Sequence, residues 1–463
     1  MLHRGVDVTL ALLEPVWRRT VRGVRREAGA FVAAATLVAA GTTATGQVQR
    51  GSLEPSDVYE FAPPLEHQPR YLHDSDRPDL ILNPDFFCSE CAKEKRIRFQ
   101  SREEMKDLLE TDKAYNPPKD GKEVDHFGTF RMIEHEGATV LDYVFNKMKT
   151  RKPIFIEDKF FRLVTDFDGF STREDVYPRR EIELLQLADV FLTVNERTVG
   201  LNAHHRAHLY LNRAHRVLRD FEHIVRHDPD SGYMGLLGPY LGLRQKVEIY
   251  IFEKQPLMGQ FLKTYLGHSS TLDGHCWHTL KDDGMQVIMH CDNMSDVYCN
   301  NSFTHRLSYV LMQGFRGFFY DLPAWFLIGF GHLMERRERT DFNTFFFGEG
   351  QLPRDFWGRQ KWKMEVRKMV DAADTRPFVE IAEFTQPNEL RPEEHGIIWS
   401  MVSYQMQLGQ DKLGRFVHVL KEKQPGESTF NLQVRAFQTV YGITMTQFEE
   451  NWKQWVRETY VPH

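Results

Sequence analysis

The stretch Phe303–Arg337, FTHRLSYVLMQGFRGFFYDLPAWFLIGFGHLMERR, decides how this chain is read. Its first part reads as an apolar helix that carries His305, Arg306 and Tyr309. Pro323 opens a second helix, since proline suits a first helical turn. That helix is apolar through Phe330, bears His332, and ends in Arg336 and Arg337, where cations complement the helix dipole. Two apolar helices in sequence, each with a histidine, call for a sheet or further helices to cover them. The rest of the chain is read outward from this pair.

At 463 residues the chain suits two or three domains. Hydrophobic residues make up 41 % and aromatic residues 13 %, enough for a sizeable packed core. The net charge of −6 offers no basic surplus for nucleic acid. The N-terminus has Arg18, Arg19, Arg22, Arg25 and Arg26, then the apolar run Ala30–Ala40, then Ala44 and Gly46 ahead of Gln47. A positive region, a short apolar region and a small-residue site are the parts of an export signal. The run falls short of the roughly 20 apolar residues that span a bilayer. Residues 1–46 are therefore expected to be a signal peptide or short anchor. The mature chain is expected to be exported, with no transmembrane domain beyond that segment.

Residues 47–85, rich in Pro, Asp, Glu and Arg, read as a linker. Residues 86–185 read as a mixed α/β region. In it, KPIFIEDKFFRLVTDF alternates like strand. Residues 186–340 carry the sharpest pattern: a strand over 189–199, a long amphipathic helix over 202–227, a strand over 246–254, a short helix ending at Gly267, and two strands around KDDG. Residues 341–463 read as a helical subdomain, with helices divided near Gly409. Thr444 or Thr446 is expected to cap the last helix, and Phe448, Trp452 and Trp455 to form its buried side. The fold class is thus α+β, a small mixed sheet followed by a helical C-terminal subdomain.

The five cysteines are Cys88, Cys91, Cys276, Cys291 and Cys299, so at least one is left without an intrachain disulfide. Cys88 and Cys91 read as structural, either a disulfide or half of a zinc knuckle for which no second CxxC exists. His204 and His208 stand one helical turn apart. Arg206, Arg213, Arg216 and Arg219 accompany them, so this face reads as solvated and repellent to a cation.

A helical zinc site needs two histidines at i and i+4, a glutamate after the first as general base, and a third ligand from another helix. His305 opens such a turn, and the following helix resembles the W-x-x-E-G-x-A-E pattern of the gluzincin, thermolysin-like metallopeptidases. The order of strand, long helix, strand, short helix, hairpin, site helix, Pro-Trp helix and helical tail is similar to a peptidase MA-like family of exported bacterial proteins. The resemblance spans roughly residues 186–460 and implies a zincin fold with an active-site helix. Here, however, Arg306 stands at the general-base position, Tyr309 at the second histidine and Ile328 at the ligand glutamate. His332 falls where the family places a supporting carboxylate.

One imidazole cannot hold catalytic zinc, which takes three protein ligands. Arg306 is permanently charged and takes no proton from water, and Ile328 offers no lone pair. The chain therefore reads as a catalytically inactive metallopeptidase homologue, a pseudoenzyme, with no cofactor expected. Its former cleft is expected to hold an extended peptide or an envelope protein. The alternatives are a metal-dependent hydrolase with zinc on the relocated ligands His290, His305 and His332, or a purely structural envelope protein.

Overall fold

The computed structural model describes residues 86–88, 90–91, 134–135, 138–139 and 153–460, except 159, 174–176, 178, 226–239, 244, 266, 268, 271, 280–283, 340–342 and 346–360. The expected signal or anchor over 1–46 and the linker over 47–85 lie outside the described residues. In chain order come β1 (Phe86–Cys88), β2 (Glu134–His135), β3 (Ala138–Thr139), β4 (Ile154–Asp158), β5 (Phe161–Thr165) and β6 (Phe170–Ser171). Then follow α1 (Arg180–Val190), β7 (Gly200–Leu201), α2 (Ala203–Val225), β8 (Val247–Phe252), α3 (Gln255–Tyr265), β9 (Gly274–Thr279) and β10 (Gly284–His290). The rest is helical: α4 (Asp296–Gly314), α5 (Ala324–Glu338), α6 (Trp362–Asp371), α7 (Phe378–Ile381), α8 (Pro392–Gln407), α9 (Gln410–Leu420), α10 (Thr429–Tyr441) and α11 (Met445–Thr459). The chain is mixed α+β, and no described helix is long and apolar enough to cross a membrane.

The main sheet has the order β1-β4-β5-β8-β10-β9. β4 and β5 form an antiparallel pair whose turn is tied by Asp158: its Oδ1 accepts from the N–H groups of Phe160 and Phe161, both at 2.7 Å. β5, β8 and β10 run parallel, and β9 returns antiparallel to β10. Parallel neighbours need a crossover; α2 lies in the one between β5 and β8 and α3 in the one between β8 and β10. Strand alternation then splits the core. Leu163, Ile249, Ile251, Val287 and Met289 face the large helical layer, while Val164, Tyr250, Phe252 and Ile288 pack on Phe261 and Leu262 of α3. The sheet draws strands from both sides of residue 185, so the boundary expected there does not divide it.

The strand expected over 189–199 is a correction. Leu184, Leu187 and Val190 recur every third residue and are buried, so the helical period wins and α1 runs to Val190. Only turns and an isolated bridge follow it until β7. In the tail, Gly409 takes φ +127° between α8 and α9, a value that disfavours any side chain. Thr444 caps α11: its hydroxyl accepts from the Gln447 N–H at 3.1 Å and Gln447 Oε1 accepts from the Thr444 N–H at 2.8 Å. Phe448 and Trp452 are buried beneath this helix and Trp455 is half-buried.

α4 is the central helix, packed between the sheet and helices α2 and α5. Ser295 caps its start, and a disulfide joins Cys291, just after β10, to Cys299 in its first turn. α5 crosses α4 on one side and α8 on the other. Glycine permits the close crossing: a Cβ on Gly329 would stand 2.8 Å from the Ile398 carbonyl oxygen, and one on Gly331 would stand 2.8 Å from His305 Nε2. Trp325 anchors the tail by donating to Gln433 Oε1 at 2.6 Å.

Candidate metal centres

The arginines of α2 do not form one solvated face, although Arg219 is only half-buried. Arg206, Arg213 and Arg216 are buried, and each meets acids from neighbouring elements. Arg213 bonds Glu183 of α1 and Asp296 of α4, both at 2.8 Å. Arg216 reaches Glu338 of α5 at 3.1 Å, and Arg206 reaches Glu253 at 2.7 Å. Arg180 adds a second cation to Asp296 at 3.0 Å. Burial alone would raise the Asp296 carboxyl, but Arg213, Arg180 and Arg206 hold it well below the usual carboxylate range. The positive charge that argued against a cation near this helix is thus compensated by tertiary partners.

The other flank of α2 carries His204 and His208, and these are buried too, at 8 % and 0 % exposure. Opposite them lie Cys88, at the end of β1, and Cys91, both buried. Cys88 Sγ and Cys91 Sγ each lie 3.2 Å from His204 Nε2, and Cys91 Sγ lies 3.3 Å from His208 Nε2. Both cysteines keep their thiols. The four donor atoms lie within 4.8 Å of one another, a group that can hold a metal ion. Phe191, following α1, sets its ring against both imidazoles with centroids 5.0 Å away. Burial pushes the Cys88 thiol up, but Cys91, His208 and His204 outweigh it and bring it well below its ordinary value. Cys88 and Cys91 form no disulfide, and His204 and His208 are not a solvated face. The pairs in contact stand 113 to 117 positions apart, beyond the reach of a spacing rule.

A second convergence forms where α4 meets α5. His305 and His332 place their rings 4.6 Å apart, and Glu335, one turn after His332, lies beneath both. Glu335 Oε1 contacts His332 Nδ1 at 2.6 Å and its Oε2 lies 3.3 Å from His305 Nδ1. The Thr344 N–H donates to the same carboxylate at 3.0 Å, and His332 Nε2 meets His395 Nδ1 of α8 at 2.8 Å. His305, His332, Glu335 and His395 are all 0 % exposed. Burial raises the Glu335 carboxyl, yet His305 and His332 hold it down to about 2. Burial is also what lowers His332 to about 4, against the pull of Glu335. His305, His332 and Glu335 likewise bring three donors within 4.8 Å, so a metal can be held here as well.

The relocated ligand set thus changes membership. His290 ends β10, where its Nδ1 accepts from the Asp292 N–H at 3.1 Å and its Nε2 lies 3.5 Å from Asp273. Glu335 takes its place in the cluster. Glu335, which the sequence reading did not single out, stands at i+3 from His332, the spacing that puts both on one helical face. Arg306 turns from the cluster toward β9: it donates to the Ser302 hydroxyl, and a Cβ on Gly274 would stand 2.5 Å from its Nε. Tyr309 is half-buried, and burial together with Cys276 and Asp321 pushes its phenol upward, away from a ligating phenolate. Ile328 is fully buried in the apolar core. Arg306, Tyr309 and Ile328 therefore offer no ligand set for a catalytic zinc ion. No family model, curated protein or solved structure matches this chain.

Proposed function

We propose that the chain is a non-catalytic, gluzincin-like protein, exported, which holds an extended peptide along the β9 edge of its sheet. One observation carries the reading. His305, the single ligand residue left at the family's positions, is fully buried and engaged with Glu335 and His332, while Arg306 stands where a general base would be. A permanently protonated guanidinium cannot activate water, and donors at 0 % exposure do not meet a substrate. β9 is the outermost strand of the described sheet on the side of α4, and a strand in that place can accept another by backbone pairing.

A second reading, a hydrolase on relocated ligands, draws on the convergence of His305, His332 and Glu335. Peptides from a casein digest separate the two. The expected result is slowed amide exchange at residues 274–279 with the peptides left intact. Cleavage that disappears in Glu335→Gln would favour the hydrolase. Intact peptides with unchanged exchange would leave a purely structural role.

A further inference from the structure

We infer that Cys88, Cys91, His204 and His208 form a closed structural zinc centre that staples the first described strand to α2. The donor set is two sulfurs and two imidazole nitrogens, supplied as C-x-x-C and as H-x-x-x-H on a helix, both spacings that let paired side chains reach one ion. Zinc bound at about 2.3 Å to sulfur and about 2.0–2.1 Å to nitrogen sets tetrahedral S and N donors about 3.5 Å apart. The contacts of 3.2, 3.2 and 3.3 Å are close to that edge. A tetrahedral S2N2 set selects zinc over the oxygen-seeking cations. Four protein donors leave no coordination position for water, so the centre is structural rather than catalytic. Binding forms two Zn–S and two Zn–N bonds, and any thiol proton still present passes to solvent.

The fold gives this centre a task. β1 is three residues long and pairs with β4 at the edge of the sheet. So short a strand has little intrinsic stability. A metal bond from its last residue to a helix behind the sheet fixes it in register. Phe191 walls the site and holds both imidazole planes nearly perpendicular to its own ring, at 83° and 82°.

The test uses the full chain, made without a polyhistidine tag and purified without chelator, with zinc counted by plasma mass spectrometry. We expect about one zinc per chain. The Cys88→Ser/Cys91→Ser variant should lose it, and His305→Gln should keep it. Cobalt loaded into the unmodified chain should show thiolate-to-cobalt charge transfer and the strong visible bands of a tetrahedral ion, a readout independent of any variant's folding. A metal-free chain with Cys88 and Cys91 joined as a disulfide overturns the proposal. So does zinc retained by the double serine variant, or a cobalt spectrum without thiolate bands. A second zinc lost only in His305→Gln would count against the non-catalytic reading and leave this centre standing.

Discussion

His204 and His208 lie one turn apart on one helix and meet two sulfurs; His305 and His332 lie on two helices and meet one carboxylate. Both groups are buried, and both bring three or more donors together. They differ in their donors and in what those donors meet. Glu335 also accepts from the Thr344 N–H, and His332 also meets His395. Cys88 and Cys91 each meet His204 at 3.2 Å, and Cys91 meets His208 at 3.3 Å. Arginine-acid pairs on the opposite flank of α2 neutralise the charge that would oppose a cation. The comparison shows two ways of gathering metal-ligand residue types in one core, a cysteine pair facing one helix and a carboxylate lying between two helices.

The comparison breaks most readily at Cys91. Cys91→Ser removes a donor that touches both histidines, and its zinc affinity should fall by more than the about 10–100-fold that loss of a supporting group costs. Competition with a chromogenic chelator measures this, and affinity unchanged within a few-fold would place the ion elsewhere.

The other cluster should respond in stability instead. Glu335→Ala leaves His305, His332 and the Thr344 N–H without their buried acceptor, and we expect a loss of about 3–5 kcal/mol in urea unfolding. A loss below about 1 kcal/mol would mean that the carboxylate is not what organises the α4–α5 contact.

Gly331→Ala sharpens the same contact. Its methyl would meet the His305 ring at 2.8 Å, within a pair of helices that cannot easily part. Overpacking of this kind costs about 1–3 kcal/mol. Zinc content should not change, since Gly331 lies away from the Cys88 group.

The smallest effect is in pH. Burial lowers the folded-state value of His332 from 6.5 to about 4. The unfolded chain therefore takes up this proton first as pH falls. The contribution to stability is fully present above pH 6.5 and declines toward pH 4, by about 2 kcal/mol between pH 7 and pH 5. Glu335 acts in the same direction lower down: its folded value of about 2 adds stability above its ordinary 4.5, lost as pH falls from there. Urea midpoints at pH 7 and pH 5 should differ more in the unmodified chain than in His332→Gln. Equal differences would assign the acid sensitivity to other groups.

How far the sequence could be read depends on the range of the interaction. The alternation in residues 154–165, the β-branched and aromatic residues of 247–252, the apolar periods of α2, α4 and α5, the break at Gly409 and the cap at Thr444 are local, set by each residue's own backbone and its near neighbours. The strand expected over 189–199 fails because a tertiary demand, burial of Leu184, Leu187 and Val190 at helical spacing, outweighs local β propensity. Glu335 was within reach, since its i+3 relation to His332 is a local fact, but its charged neighbours Arg336 and Arg337 made it look like surface.

By itself the sequence determined the α+β class, most of the long elements, and that Arg306, Tyr309 and Ile328 supply no set of zinc ligands. These follow from residue identity and short-range period. Only the tertiary structure decided that Cys88 and Cys91 meet His204 and His208, that Arg206, Arg213 and Arg216 of α2 are inside, and that Glu335 rather than His290 joins His305 and His332. Each of those contacts closes a loop of many residues, so its partner is selected by how the helices and sheet pack, and packing is a property of the whole chain rather than of any stretch of it.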